Sequence, residues 1–194
     1  MKTIKQEQKE VVVVSMIKYI TPWTSDKNLS GFYNRETLAL PNDNDWVCFT
    51  DRDTWFPHPF YGRHIEEVIE KHGEDYRLMT CMTNRVGQGY QCVPGMWNIE
   101  NGKSHEDISK ELWEKNKAEV INISDKPPFS GVLILVQKKF ITENRLLKEG
   151  LLLGADNQMA YIANEHFENV GLMTGIYVWH YYRGGYQSNK DHLA

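Results

Sequence analysis

The chain has 194 residues, of which 41% are hydrophobic, 12% aromatic and 25% charged, enough apolar material for a sizeable core and too much for a disordered chain. Twenty-two Lys and Arg stand against 26 Asp and Glu, and the formal charge of −4 gives no overall positive field to hold nucleic acid or an anionic membrane. The longest apolar runs are strand-sized, well short of the roughly 20 residues that span a bilayer, so no transmembrane segment is expected.

The first ten residues are mostly charged or amide-bearing and lack the basic, apolar, small-residue order of a signal peptide, which sets a cytoplasmic location as the expectation. Cys48, Cys81 and Cys92 are odd in number and show no C-x-x-C spacing, so they read as reduced thiols, with no disulfide framework or thiolate zinc site. No period repeats and no Gly/Ser- or Pro-rich linker interrupts the chain, and residues 1–194 are expected to form a single domain.

In chain order, the β-branched run at 11–17 predicts a buried strand, and 29–38 a short helix ending before Pro41. A turn cluster at 42–45 leads into the aromatic and β-branched run 46–50, with Asp51-Arg52-Asp53 where that strand should end and a loop carrying Pro57 and Pro59 beyond it. Apolar spacing around 65–69 predicts an amphipathic helix stopping near Gly73, followed by a strand at 77–83. The glycine-punctuated stretch 87–102, with Tyr90, Pro94, Met96 and Trp97, reads as a long loop or flap. Ser104 and Asp107 are spaced to cap a helix running to about Lys117. After the Pro127-Pro128 break come a strand at 131–137, a helix at 156–167 introduced by Gly154-Ala155, and a closing aromatic strand at 175–182. Alternating strands and helices with buried-type apolar runs predict an α/β sandwich, its central sheet mainly parallel and helices on both faces. Ligands in such sheets sit beyond the carboxyl ends of the strands.

Asp51 and Asp53, one residue apart at a strand end, concentrate hard oxygen ligands of the kind Mg²⁺ or Mn²⁺ shares with a diphosphate; the same residues also suit a turn cap. His180 and Arg183 lie three positions apart at the end of the last apolar run, where an imidazole can complete a metal site and a guanidinium can fork onto phosphate, or where both simply pack and face solvent. Asp156 opens a helix, a position that suits both an N-cap and an oriented general base. Trp97 and Tyr90, with Met96, offer flat apolar faces for a sugar ring, or pack their own loop down. The histidines at 58, 64, 72, 105, 166 and 192 form no zinc pattern, and the glycines form neither a P-loop nor a dinucleotide fingerprint.

Taken together, the strand at 11–17, Asn28-Leu29-Ser30-Gly31 through Asn34, Trp46-Val47-Cys48-Phe49-Thr50 ending in Asp51-Arg52-Asp53, Phe129-Ser130-Gly131, Gly154-Ala155-Asp156 and His180 resemble glycosyltransferase family 2 in their order. The resemblance implies the GT-A fold, a Rossmann-like sandwich. It also implies a metal-dependent transfer of sugar from a nucleotide diphosphate sugar donor to a hydroxyl acceptor, with inversion. It assigns Mn²⁺ or Mg²⁺ to Asp51, Asp53 and His180, the base to Asp156, the donor side to Ser15, Asn28, Asn34, Arg52 and Arg183, and the acceptor and sugar side to Trp97 and Gly131. Two departures stand out: Ala155 replaces the family's Glu before the catalytic Asp, and only residues 18–27 stand where the family has a longer βαβ segment. A metal-dependent phosphoesterase and a nucleotide- or sugar-binding module without turnover are the rival readings of the same residues.

Overall fold

The computed structural model describes residues 15–181. Strand β1 (Ile17–Ile20) is followed by α1 (Leu29–Leu38), β2 (Trp46–Thr50) and the two-residue β3 (Thr54–Trp55). Next come α2 (Tyr61–His72), β4 (Leu78–Thr83), a 3₁₀ turn at Gly89–Gln91 and α3 (Gly102–Asn116). β5 (Val120–Asn122), β6 (Leu133–Gln137), α4 (Lys138–Glu143), α5 (Ala155–Glu165) and β7 (Val170–His180) complete the order. Among the described residues no helix is long and apolar enough to cross a membrane.

The seven strands form one sheet in the order β1-β2-β6-β4-β7-β3, with β5 also paired to β7. Alternation along the strands feeds two cores. On β2, Val47 and Phe49 join Tyr33, Phe140, Met159 and Ile162 under α1, α4 and α5. Trp46 and Cys48 join Ile65, Val68 and Trp113 under α2 and α3 on the other face. Because both faces are covered, β2 and β6 are buried at every position and read as unbroken apolar runs.

The sheet is mixed, whereas the sequence predicted a mainly parallel one. Only β1 with β2 and β4 with β7 pair in parallel. β6 runs antiparallel between β2 and β4, and β3 and β5 run antiparallel to β7. A buried strand looks the same in either direction; its connection decides. The reversal is made in the connection from β4 through α3 to β5; β5 and β6, joined by residues 123–132, then run the same way, both against β4 and β7. β1, β2, β4 and β7 nevertheless share one direction, so their carboxyl ends lie along one edge of the sheet.

Among the described residues the first strand, β1, starts at Ile17, the last position of the predicted run 11–17. Val11 to Val14 lie outside the described residues, and β1 carries Lys18 and Tyr19 on a half-buried edge, with Lys18 Nζ 2.7 Å from Glu36 Oε2. α3 is capped by Asn101, whose side chain accepts from Lys103 N at 2.9 Å, three residues ahead of the predicted cap at Ser104. β3, β5 and α4 are too short to show a period and are absent from the sequence reading. β7 begins five residues before its predicted start, because Gly171 and Gly175 hide the strand. A Cβ on Gly171 would sit 2.7 Å from Val120 Cγ1, and one on Gly175 would sit 2.0 Å from the Lys117 carbonyl oxygen. Near the second glycine the β4 pairing jumps from Cys81↔Met173 to Met82↔Tyr177, leaving three residues of β7 without a β4 partner.

The stretch around Asn28 and Asn34 braces the fold. Asn28 Oδ1 caps α1 by accepting from Gly31 N at 2.9 Å and also accepts from Gly150 N at 2.7 Å. Buried Asn34 exchanges two 2.9 Å hydrogen bonds with the backbone of Leu147. Together they dock the segment that leads into α5. Removing the Asn34 amide strands a buried N–H and a buried C=O, each costing ~1–3 kcal/mol. Asn34→Ala is therefore expected to lose ~2–4 kcal/mol in urea unfolding at an unchanged slope, and a loss near zero would show that the brace is not needed.

Candidate metal centre

β2 delivers Asp51 to the carboxyl edge, where its N–H donates to Val132 O at 3.2 Å and its carbonyl accepts from Thr54 Oγ1 at 2.6 Å. This tight turn sends the chain back into β3. β3 pairs with the last residues of β7, setting Thr54 opposite His180 and Trp55 opposite Trp179, and Tyr181 N donates to Asp53 O at 2.8 Å. The sequence sets the two aspartates one residue apart at a strand end. What brings them together is the turn, and the β3–β7 pairing adds the imidazole.

Asp51, Asp53 and His180 each present one ligand atom, and these atoms all lie within 4.8 Å of one another. His180 is buried and the aspartates are half-buried. His180 Nδ1 lies 2.9 Å from Arg85 O; a carbonyl only accepts, so Nδ1 carries the proton. Nε2 is then the lone-pair nitrogen, 3.4 Å from Asp53 Oδ1. A proton on Nε2 makes this contact an ion pair, and a cation shared by both atoms makes it half of a coordination shell. Two carboxylates and a neutral imidazole form a donor set suited to a divalent cation such as Mn²⁺ or Mg²⁺, and the backbone carbonyl behind the ring supplies the outer partner that metal-ligating histidines generally have.

Asp156 lies in the first turn of α5, behind Gly154, which holds the N-cap position at φ +85°. Its Oδ1 accepts from Asn157 N at 2.8 Å and its Oδ2 from Gly131 N at 2.9 Å. Gly131 packs closely on this carboxylate, since a Cβ there would meet Asp156 Cβ at 3.1 Å and Oδ2 at 3.3 Å. Burial pushes the Asp156 carboxyl up, against the pull of these N–H groups. Burial also raises Asp51, to about 6; His180 pulls it down, while the charges of Asp53 and Asp156 push it further up. Asp156 thus shares an electrostatic neighbourhood with the cluster of Asp51, Asp53 and His180.

A cleft of about 360 Å³ opens beside Asp51, with Arg52, Thr21, Thr50 and Thr54 among its lining residues. Tyr19, Trp55, Phe56 and Tyr61 supply its aromatic walls. Phe56 and Tyr61 stack at 4.0 Å between centroids, and Tyr19 meets Tyr61 edge-on at 5.9 Å. The sequence reading placed the aromatic platform in residues 87–102 instead. That stretch is fastened down. Tyr90 donates to Pro127 O at 2.9 Å, buried Gln91 accepts from Ser130 N at 2.8 Å, and the Trp97 carbonyl accepts from Arg85 at 3.1 Å.

Of the residues expected on the donor side, Arg52 reaches the cleft. Asn28 and Asn34 hold backbone groups of residues 147–150, and Ser15 precedes β1 at its amino end, away from the cleft at the carboxyl end. Arg183 lies outside the described residues. The sequence reading missed Tyr19, Phe56, Tyr61, Asn84 and Arg85. For Asn84 and Arg85 a signal existed, since they follow the predicted strand at 77–83 directly, where a same-direction strand delivers its site residues. No protein-family model matches the sequence, and a search of curated proteins gives no match.

The raised Asp51 carboxyl fixes the sign of a pH effect. The folded state binds its proton more tightly than the unfolded chain, so this contribution to stability is present below about pH 4 and is lost as pH rises through about 6. In chelator, Asp51→Asn is expected to gain on the wild type in thermal melts across that window, because its neutral amide has no proton to lose. With Mn²⁺ added, wild-type stabilisation should grow with pH over the same range, since cation and proton compete for the carboxylate. Parallel wild-type and variant curves in chelator would show that Asp51 is not perturbed.

Proposed function

We propose that the protein is a divalent-cation-dependent glycosyltransferase that moves a sugar from a nucleoside diphosphate donor to a hydroxyl acceptor. The observation that carries this reading is the convergence of Asp51, Asp53 and His180 within 4.8 Å at the carboxyl edge of the sheet, beside an aromatic-walled cleft. The sequence resemblance to glycosyltransferase family 2 and the Rossmann-like mixed sheet support it.

Asp51, Asp53 and His180 would hold Mn²⁺ or Mg²⁺, which when bound supplies positive charge to offset the negative charge that grows on a departing nucleoside diphosphate. The aromatic rings about Tyr61 suit the planar part of such a donor, and the exposed Arg52 guanidinium at the cleft suits its phosphates. Asp156 serves as general base. Its carboxylate is oriented by two backbone N–H groups, and burial moves its proton affinity toward the range in which a base works best. Base and diphosphate side sit on separate elements, α5 and the β2–β3 turn, an arrangement that suits direct displacement with inversion.

Thermal melts with a panel of nucleoside diphosphate sugars, with and without Mn²⁺, test the reading. Asp53→Ala is expected to melt cooperatively and to lose the Mn²⁺-dependent stabilisation by the best donor. Equal stabilisation of wild type and variant would remove the metal assignment.

Asp156→Asn should retain donor-induced stabilisation while product analysis shows transfer reduced ~10²–10⁴-fold. Unchanged turnover would remove Asp156 as the base. Cleavage within the diphosphate without sugar transfer would point to a phosphoesterase, and stabilisation with no product to a binding module.

A further inference from the structure

Asn84 and Arg85 leave the carboxyl end of β4 beside the metal cluster, and Arg85 is only 5% exposed. Three polar groups of His180 bond to this dipeptide. The His180 N–H donates to Asn84 Oδ1 at 2.7 Å, its carbonyl accepts from Arg85 Nε at 3.2 Å, and its Nδ1 donates to Arg85 O at 2.9 Å. The rest of the guanidinium spans outward, with Nη2 3.4 Å from Tyr181 O, and Nη1 3.1 Å from Trp97 O and 3.0 Å from Glu100 Oε1.

From this geometry we infer that Arg85 is a positioning residue, fixing the His180 imidazole in the Nδ1-protonated tautomer with Nε2 turned toward Asp53. A buried guanidinium needs acceptors around its whole plane, and the last carbonyls of β7 together with the 97–100 segment supply them. The fork therefore locks the β7 terminus against β4, and the lock holds the Arg85 carbonyl on Nδ1. A lysine ammonium is a point donor on a flexible stem and cannot hold both sides at these spacings. The same side chain ties the segment carrying Trp97 to the metal edge. The inference rests on the metal reading above for its functional meaning, but the tautomer exists without any cation.

Two-bond ¹H–¹⁵N spectra of the histidine rings test it in metal-free full-length protein at alkaline pH, with the His180 signal assigned by its loss in His180→Gln. The wild type is expected to show Nδ1–H at His180. Arg85→Lys is expected to melt cooperatively, to populate the Nε2–H tautomer, and to bind Mn²⁺ ~10–100-fold more weakly by electron paramagnetic resonance titration. Glu100→Gln, which retains the backbone acceptors, should leave the tautomer unchanged. An Nε2–H tautomer in the wild type overturns the inference even if Arg85→Lys fails to fold. So does an unchanged tautomer in Arg85→Lys, or a changed tautomer with unaltered Mn²⁺ affinity. Absence of Mn²⁺ binding by the wild type strikes the proposed function instead, and the metal-free spectra still decide whether Arg85 sets the ring.

Discussion

A two-residue antiparallel ladder, Thr54 with His180 and Trp55 with Trp179, holds the candidate site together. Without it Asp51 and Asp53 are an acidic turn of the kind many strands end in. With it, a group 127 residues further along the chain than Asp53 arrives at hydrogen-bond range of its carboxylate. Such a short ladder is weak alone, and its surroundings secure it. Trp55 packs edge-on to Trp179 at 5.7 Å, the Tyr181 N–H is held by the Asp53 carbonyl, and the Arg85 fork grips the carbonyls of 180 and 181.

Burying Asp51, with the charges of Asp53 and Asp156 beside it, costs stability once its carboxyl ionises, and its upward shift carries that cost. The architecture around the cluster resists its relaxation. Asn28 and Asn34 dock the 147–150 segment, that segment leads into α5, and α5 presses Asp156 against Gly131. Residues that the family resemblance places on a ligand thus bear on the site from behind, through backbone geometry. Repulsion among fixed acids is a reason for a cation to bind there, since neutralising them relieves it.

The sequence was most legible where one element carries its own signal. Leu29–Leu38 and Trp46–Thr50 emerge with the boundaries the pattern predicts, because helix formers ahead of Pro41 mark the one and a turn cluster ahead of an apolar run marks the other. The residues of the candidate metal cluster were legible too, since carboxylates at a strand end and a late histidine have few other residues competing for such a place. Strand direction was not, because Leu133 to Gln137 would be equally apolar in either orientation. The aromatic cleft was hidden for a different reason: Tyr19, Phe56 and Tyr61 come from three separate segments, and only tertiary packing makes them one wall. Arg85 looked like an ordinary charged residue after a strand, and its importance lies in four acceptors spread over residues 97–181.

The irregularity in β7 carries one more consequence. Before it, even-numbered Val170 and Leu172 face the α1, α4 and α5 side; after it, even-numbered Ile176 and Val178 face the other. The odd count of extra residues inverts the parity of everything downstream, His180 included. Adding or deleting one residue between 174 and 176 would leave an apolar strand that still fits between two greasy layers, yet would rotate the imidazole to the wrong side of the sheet. Whether this fold owns a metal centre at all is therefore decided by counting.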